Sequence, residues 1–579
     1  MLEFIQLLKQ RYQTILQQAP LESAKAVYRQ RIDQLLLAEA FLRKGALIDS
    51  KPLPPLQIAV VGPTQAGKST LVNVLLQSGA AGVSPLAGYT VHPQGFCHRV
   101  GREDCSGLQR YFGRFQQLLP AQLSKDRHDC FALSEPGAHS SLLPECVLWD
   151  TPDFDSIDSS TYREGVIRTM ALADVIVLVI SKEKYADQSV WDMMSVLEAL
   201  RQPTVICLNK LSEGSEALIV HSLKEKWLLA RKDEFPEVVP LYYDKPSGLP
   251  VWPEAKPSLL PRLAARVSYK KHARYEQELL QYYWPQWLEP VVQEHQALRD
   301  WHQLLDQTIK QALDHYQRDY LNHPHHYETF QVAMAELLAL LEIPGLAGIL
   351  AGTRRALTWP VRQLMKLGRK KASLTGTSHE VALLHQIAEH ALLQMTDNLR
   401  DKAEEHQQRL WWKDMGALLR GRRQELLAGF DGAVKHYHQT FQQDVESAAH
   451  RLYRKLQEQP LLLNSLRATR ATTDAAVIAL TLHTGGIGVH DLVIAPSMLT
   501  VTSLLAESAI GSYMHSVEAD LKKNQLNQVR QVLFVEALRD KLAALPQQLS
   551  ALAHFNITPE QLQEAENHLK EKRHGLRLL

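Results

Sequence analysis

The pattern of apolar and polar positions divides the chain into three regions. Residues 1–48 carry apolar residues at helical spacing, which predicts a helical segment, and a proline-rich stretch, KPLPPL at 51–56, follows it. From there to about residue 250, short continuous apolar runs alternate with helix-like stretches. After residue 265 the strand-like runs almost vanish, and helical periodicity continues to the end.

The apolar runs of the second region predict the strands of a sheet. Continuous apolar strands that alternate with helices are typical of a mostly parallel sheet with helices on both faces. The sequence therefore predicts an α/β domain followed by a large all-α helical region. The last helix has a start signal: Thr558 as N-cap, Pro559 at the first helical position and Gln561 completing a capping box. The predicted strands are LQIAVVG at 56–62, CVLWD at 146–150, DVIVLVIS at 174–181, PTVICLN at 203–209 and EVVPLYY at 237–243.

Composition sets a few limits on function. With 45% hydrophobic and 22% charged residues, the chain resembles an ordinary globular protein. A formal net charge of +1 gives no overall field that favours nucleic acid, so nucleic acid is not expected as a partner. Five cysteines, all within 97–207 and none in a CxxC pair, favour free thiols in a reducing compartment. The N-terminal stretch lacks the features of a signal peptide.

The strongest chemical signal follows the first predicted strand. The sequence GPTQAGKS fits the phosphate-loop pattern GxxxxGK[ST] without a mismatch, and a chance match in such a chain is on the order of one per cent. Its two glycines allow backbone N–H groups to converge on phosphate oxygens. Lys68 is predicted to reach the β and γ phosphates, and the Ser69 hydroxyl to ligate Mg²⁺. The predicted nucleotide-binding residues of the loop are Gly62, Pro63, Thr64, Gln65, Ala66, Gly67, Lys68, Ser69 and Thr70.

A second signal ends the predicted strand at 146–150. Asp150 closes this apolar run, and Thr151 and Pro152 follow it. An acid at this place can hold Mg²⁺ through water and sense the γ-phosphate. We therefore predict that Asp150 belongs to the nucleotide and metal site.

The order of these motifs resembles that of the TRAFAC-class P-loop GTPases, in the branch that holds Era-like and dynamin-like proteins. Asp150-Thr151-Pro152 is similar to the start of the family's third motif, D-x-x-G, but Asp153 stands where the family has glycine. The resemblance implies a GTPase that hydrolyses GTP with Mg²⁺. It also implies guanine nucleotide as the ligand and self-association through the GTPase domain.

The resemblance further implies roles for loop residues. Thr90 would complete the Mg²⁺ shell, with Ser84 as the second choice, unless it is a strand threonine without a ligand role. Gln65 matches the place of a polar catalytic side chain in dynamins and would orient water, unless it only faces solvent. Phe154 stands where Ras-like enzymes have a water-orienting glutamine. The predicted catalytic residues are Lys68, Thr90 and Gln65, and the predicted metal residues are Ser69, Thr90 and Asp150.

Recognition of the base is the incomplete part of the resemblance. The sequence VICLNKLSEG is similar to the family's N-K-x-D motif, in which Asn209 would support the phosphate loop and Lys210 would stack on the base. Ser212 replaces the aspartate that reads guanine, and Glu213 is one place out of register. Ser247, in YYDKPSG, corresponds to the faint fifth motif. GTP is the predicted ligand, and the choice between GTP and ATP stays open.

Two segments of the helical region have a composition suited to a membrane surface. Residues 343–371 combine seven basic residues with Trp359 and no acid, which suits either an anionic membrane surface or a core helix with a solvated basic face. Residues 475–506 carry Asp491 as their only formal charge, and a glycine pair and a proline divide them. Neither half reaches the ~18 uncharged residues of a spanning helix, so burial or a conditional membrane contact is predicted.

The predicted domains are an N-terminal helical arm at 1–52, a P-loop GTPase domain at 53–265 and a helical domain at 266–579. Helices on both sides of the GTPase domain match the dynamin-like layout, which implies a nucleotide cycle coupled to rearrangement of the helical domain at a membrane surface. Two alternatives are a regulatory GTPase with a protein or ribosomal RNA partner, and an interaction protein that binds nucleotide with little turnover. The predicted location is cytoplasmic, with peripheral binding to the inner face of the membrane if the protein is dynamin-like.

Overall fold

The structure is a computed structural model, and it describes most of the chain. The segment 343–371 lies outside the described residues, as does nearly all of 475–506. Among the described helices, none is both long enough and apolar enough to cross a membrane. The described residues are 1–18, 22–83, 90–137, 140–153, 159–211, 216–243, 249–322, 328–341, 379–405, 409–468, 503, 505–507 and 510–575.

The chain forms two compact units. The first consists of Met1–Val292 with Ala551–Leu579, and the second of Gln293–Ser550. The division at residue 292 falls inside a single helix, His272–Tyr316. The domain boundaries predicted at residues 52 and 265 stay predictions.

An eight-stranded sheet forms the centre of the first unit. Its strands are β1 (Leu56–Val61), β2 (Gln94–His98), β3 (Gln116–Leu118), β4 (Cys130–Ser134), β5 (Cys146–Asp150), β6 (Val175–Ser181), β7 (Thr204–Asn209) and β8 (Glu237–Pro240). Their order is β3-β4-β2-β5-β1-β6-β7-β8, and among the described pairs of this sheet only β2 and β5 run antiparallel. The predicted mostly parallel sheet is confirmed.

The continuous apolar runs located the central strands well. Strands β1, β5, β6 and β7 lie within the predicted segments, and β6 is buried along its whole length. The run at 237–243 forms β8 and then a separate short strand, β9 (Tyr242–Tyr243), which pairs with β10 (Pro250–Val251). The sequence interpretation missed β2, β3 and β4, because these strands are only three to five residues long and two of them begin with glutamine.

Helices surround the sheet of the first unit. Helix α1 buries one stripe of side chains three or four residues apart, as its apolar pattern predicts. Lys44, in α2, donates a hydrogen bond to the Ala173 carbonyl and lies 2.7 Å from Asp174 Oδ1. The helices are α1 (Leu2–Gln18), α2 (Glu22–Ile48), α3 (Lys68–Leu76), α4 (Gly107–Phe112), α5 (Ser159–Leu172), α6 (Gln188–Leu197), α7 (Glu216–Ala230), α8 (Leu259–Ala264), the first part of α9 (His272–Tyr316), and the last helix, Pro559–Gly575.

The last helix begins as predicted. The Thr558 N–H donates to Gln561 Oε1 at 3.0 Å, and the Gln561 N–H donates to Thr558 Oγ1 at 3.3 Å. These two bonds form the reciprocal capping box, and Pro559 is the first helical residue. The predicted start signal is therefore confirmed.

The second unit is all helical among its described residues, as predicted. One buried carboxylate joins its helices: Glu380 Oε1 accepts hydrogen bonds from Tyr316 at 2.6 Å, Gln525 at 2.9 Å and Tyr437 at 3.0 Å. Burial raises the pKa of Glu380, against the lowering effect of these donors. The helices are the rest of α9, α10 (Glu328–Leu340), α11 (His379–Glu405), α12 (Arg409–Gln457), α13 (Gly511–Gln528) and α14 (Asp540–Ala543), with π-helical turns at Gln317–Leu321 and Val529–Arg539.

Candidate nucleotide-binding site

The loop between β1 and α3 has a backbone that needs its glycines. A Cβ atom on Gly62 would lie 2.3 Å from the carbonyl oxygen of Val179, so no larger residue fits there. Gly67 has a φ of 95°, in the left-handed region that favours glycine. This conformation leads the chain directly into α3, whose first residue is Lys68. The loop therefore runs directly into the N-terminus of a helix, which is the arrangement that binds phosphate in phosphate loops.

Asn209, at the end of β7, supports this loop from the side. Its Nδ2 donates to the Ala66 carbonyl at 2.9 Å, and its Oδ1 accepts from the Lys210 N–H at 2.9 Å. Asn209 is fully buried, and its Nδ2 would be only 2.3 Å from a Cβ atom on Gly67. The asparagine thus holds the loop in place and also requires the glycine beside it.

The register of β1 and β5 brings Asp150 to the same place. Val60 lies opposite Asp150 in the parallel pair, so the carboxyl ends of both strands meet at the loop. Ser69 Oγ donates to Asp150 Oδ2 at 2.6 Å, and Thr90 Oγ1 lies 3.5 Å from Ser69 Oγ. The three residues predicted as the metal site therefore form one cluster of oxygen atoms.

The electrostatics of Asp150 indicate that this cluster suits a cation. Asp150 is 1% exposed, and its Oδ1 has no hydrogen-bond partner in the described part of the chain. Burial raises the pKa of Asp150 to about 6, against the lowering effects of the Ser69 hydrogen bond and the Lys68 charge. Carboxylate and hydroxyl oxygens are ligands that Mg²⁺ accepts. The residues present therefore fit a Mg²⁺ ion.

No group of three or more His, Cys, Asp and Glu side chains with metal-site geometry occurs within the described ranges. A metal site at Asp150 would thus depend on one carboxylate and on the hydroxyls of Ser69 and Thr90. This is the composition expected where nucleotide phosphates and water supply the other ligands.

Lys68 is buried at the start of α3 and points back over the loop. Its ammonium donates to the carbonyl oxygens of Gly62 at 3.0 Å and Pro63 at 3.1 Å. It also forms an ion pair with the carboxylate of Asp153, and both side chains are at most one-tenth exposed. Sequence reasoning noted Asp153 only as a departure from the family motif. Its position three residues after Asp150 was the available signal that it lies in the site.

The structure describes some of the other predicted residues and leaves out the rest. Gln65 is exposed in the loop, with a positive φ of 60°, and Lys210 is half-buried directly after β7. Their roles stay predictions, as do those of the remaining loop residues. Five positions named in the sequence argument lie outside the described residues: Ser84, Phe154, Ser212, Glu213 and Ser247.

Fold and site together define a class of protein. A glycine-bounded loop between a strand and a helix, with a carboxylate on the adjacent parallel strand, forms a P-loop nucleotide-binding domain. Residues 57–210 match the model of the family described as 50S ribosome-binding GTPase. The chain therefore contains a P-loop GTPase domain, which confirms the predicted class and implies guanine nucleotide binding.

Two solved structures extend over nearly the whole chain at low similarity. Both come from work on an oligomerised bacterial dynamin pair, which is described as a mechanism for long-range sensing and tethering of membranes. One is 11% identical with a TM-score of 0.37, and covers 99% of this chain and 95% of its own. The other is 11% identical with a TM-score of 0.34, and covers 96% of each chain. These scores do not establish a common fold. No curated protein matches the chain.

Proposed function

We propose that the protein is a GTPase that hydrolyses GTP with Mg²⁺ and couples its nucleotide cycle to rearrangement of the helical region, at a membrane surface. The observation that carries the hydrolytic part is the cluster of Ser69, Thr90 and Asp150 beside Lys68. Asp150 Oδ1 is buried at the carboxyl end of β5 and accepts no hydrogen bond from the described residues. A bound metal ion would compensate for this missing partner.

The loop residues would bind the phosphates. Backbone N–H groups of residues 62–67 would cradle the α and β phosphates, and Lys68 would neutralise charge on the β and γ phosphates. Asn209 keeps the loop in shape through its bond to Ala66. Lys210, which follows it, would stack its aliphatic stem on the base.

Ser69, Thr90 and Asp150 would hold Mg²⁺, with Asp150 acting through water. The ion would neutralise charge on the phosphate oxygens during transfer. Gln65 is exposed at the rim of the loop, and we assign it the orientation of the attacking water. Positioning and electrostatic stabilisation supply most of the catalysis in such sites, so each of these contacts contributes to turnover.

The direct test is Lys68→Ala. We expect it to abolish phosphate release from GTP and to weaken triphosphate binding by at least about 100-fold, because a charge-assisted contact to phosphate is lost. Lys224→Ala, an exposed lysine on α7, is the matched control and should behave as the wild type. Unchanged turnover in Lys68→Ala would contradict the proposal. The same assay with ATP tests the base preference, and tighter binding of ATP would exclude a GTPase.

A second candidate function is a regulatory GTPase that acts on the ribosome. The description of the matched family, 50S ribosome-binding GTPase, favours it. Sedimentation with large ribosomal subunits, in the presence of a non-hydrolysable GTP analogue, separates the two candidates. Stoichiometric binding to subunits without binding to anionic liposomes would replace the membrane proposal with this one.

A further inference from the structure

In its ion pair with Asp153, the Lys68 ammonium is occupied, although a bound phosphate would also need this group. An ammonium carries three N–H donors. Lys68 directs them at the carbonyls of Gly62 and Pro63 and at the Asp153 carboxylate. Lys68 is 5% exposed and Asp153 is 7% exposed, so solvent does not compete for these contacts. A nucleotide phosphate can reach the ammonium only by replacing one of the three acceptors.

Asp153 is the acceptor that a phosphate most resembles. Carboxylates and phosphates are both anions that bind an ammonium by charge-assisted hydrogen bonds. The two carbonyls belong to the loop itself and are fixed by its backbone, whereas Asp153 enters from the segment that follows β5. The Asp153 carboxylate therefore binds Lys68 in the way that a phosphate would, but as part of the protein.

The place of Asp153 points to one phosphate in particular. The loop amides serve the α and β phosphates, and the lysine extends to the β and γ phosphates. Asp153 follows Asp150 by three residues, and Asp150 accepts a hydrogen bond from Ser69 at the predicted metal site. Asp153 also adds to the effect of burial in raising the pKa of Asp150, so the two carboxylates are close enough to repel each other. The terminal phosphate of a triphosphate would be the third anion there.

We propose that the Asp153 carboxylate competes with the terminal phosphate of the nucleotide for Lys68 and shifts the preference of the site from triphosphate toward diphosphate. The inference rests on the proposed nucleotide function and names the residue that sets its phosphate specificity. A diphosphate leaves room for Asp153 near the ammonium. A triphosphate displaces it from Lys68 and then lies beside a second negative charge, which repels it.

The test compares nucleotide affinities of the full-length chain with two changes at residue 153. Asp153→Asn keeps the shape and removes the charge, and Asp153→Gly removes the side chain altogether. Titration calorimetry with Mg²⁺ gives the dissociation constants of a non-hydrolysable GTP analogue and of GDP. We expect both variants to bind the triphosphate analogue about tenfold more tightly, with a much smaller change for GDP.

Asp129→Asn is the matched control, because Asp129 also pairs with a basic side chain, Arg127, but on an exposed part of the same unit. It should leave both affinities unchanged. Thermal unfolding without nucleotide checks each variant, and Asp153→Asn should melt at a lower temperature because Lys68 loses its ion pair.

The outcomes separate the two proposals. Equal affinities in the wild type and both Asp153 variants, or an equal gain for GDP and the triphosphate analogue, would overturn the inference and leave the nucleotide function intact. Absence of nucleotide binding in all of the folded proteins would overturn the proposed function and the inference with it.

Discussion

Single residues at the site have roles that their neighbours define. Asp150 is useful as a metal-side acid only because the register of β1 and β5 brings it to Ser69. Thr90 belongs to the same cluster because its Oγ1 comes within 3.5 Å of Ser69 Oγ. The hydroxyl of Thr90 is therefore the group whose removal tests the metal cluster most directly.

We expect Thr90→Ala to lower GTP turnover about tenfold or more, because the Mg²⁺ shell in the triphosphate state loses an oxygen ligand. GDP binding should change little, since the threonine joins only when the third phosphate is present. Thr90→Ser keeps the hydroxyl and should retain most activity. The measurement is phosphate release over a Mg²⁺ titration. Full activity of Thr90→Ala would assign the role to another residue, with Ser84 as the next choice.

Among the elements of the first unit, α1, α2 and α5 are joined by one buried carboxylate. Glu39, on α2, accepts hydrogen bonds from Gln6 and Arg168, each at 3.1 Å, and also forms an ion pair with Lys9. Burial raises the pKa of Glu39, but the charges of Arg168 and Lys9 outweigh it and lower the pKa to about 2. The network therefore stabilises the folded unit only while Glu39 is ionised.

The sign of the pH dependence follows from that pKa. A free glutamate has a pKa of about 4.3, so the contribution of Glu39 is complete above about pH 5 and is lost as the pH falls toward 2. We expect Glu39→Gln to lower the free energy of unfolding by about 3 kcal/mol at pH 7, and by much less at pH 3. Chemical denaturation of the full chain at both values measures the difference.

The control for this network is Glu289→Gln. Glu289 is bonded to Arg31 at 2.7 Å, but its side chain is 55% exposed. An exposed ion pair contributes at most about 1 kcal/mol, so this variant should unfold nearly as the wild type at pH 7. A loss as large as that of Glu39→Gln would show that the effect does not depend on burial.

At the scale of the whole molecule, the proposed membrane binding makes a testable prediction. We expect reversible flotation with anionic liposomes, at low salt and not at high salt, because basic residues near an anionic surface contribute up to about 1 kcal/mol each and salt screens them. Neutral liposomes should not carry the protein. The segment 343–371 is the predicted site, and the apolar segment 475–506 would add a conditional contact.

A charge-reversed variant tests that site. Changing Arg354, Arg355, Arg369, Lys370 and Lys371 to glutamate should abolish flotation. The matched control reverses five exposed basic residues of the described helices: Arg420, Lys435, Lys523, Arg530 and Lys541. If the first variant stays folded and floats like the wild type, or if the wild type never floats, the membrane proposal is wrong.

Local patterns predicted much of this protein because they act over short distances. Continuous apolar runs located β1, β5, β6 and β7. The pattern GxxxxGK[ST] located the loop, because neither Gly62 nor Gly67 has room for a side chain. The pattern failed at β2, β3 and β4, which are short and owe their strand conformation to pairing with neighbours. The sequence of a short strand alone does not predict such pairing.

The sequence by itself determined the nucleotide-binding class, the order of the central strands along the chain and the residues of the phosphate loop. Only the tertiary structure decided that Asn209 supports Ala66, that Thr90 reaches Ser69, and that Asp153 rather than solvent covers Lys68. The physical reason is distance along the chain. Lys68 and Asp153 are 85 positions apart, and only the parallel alignment of β1 and β5 brings their charges together.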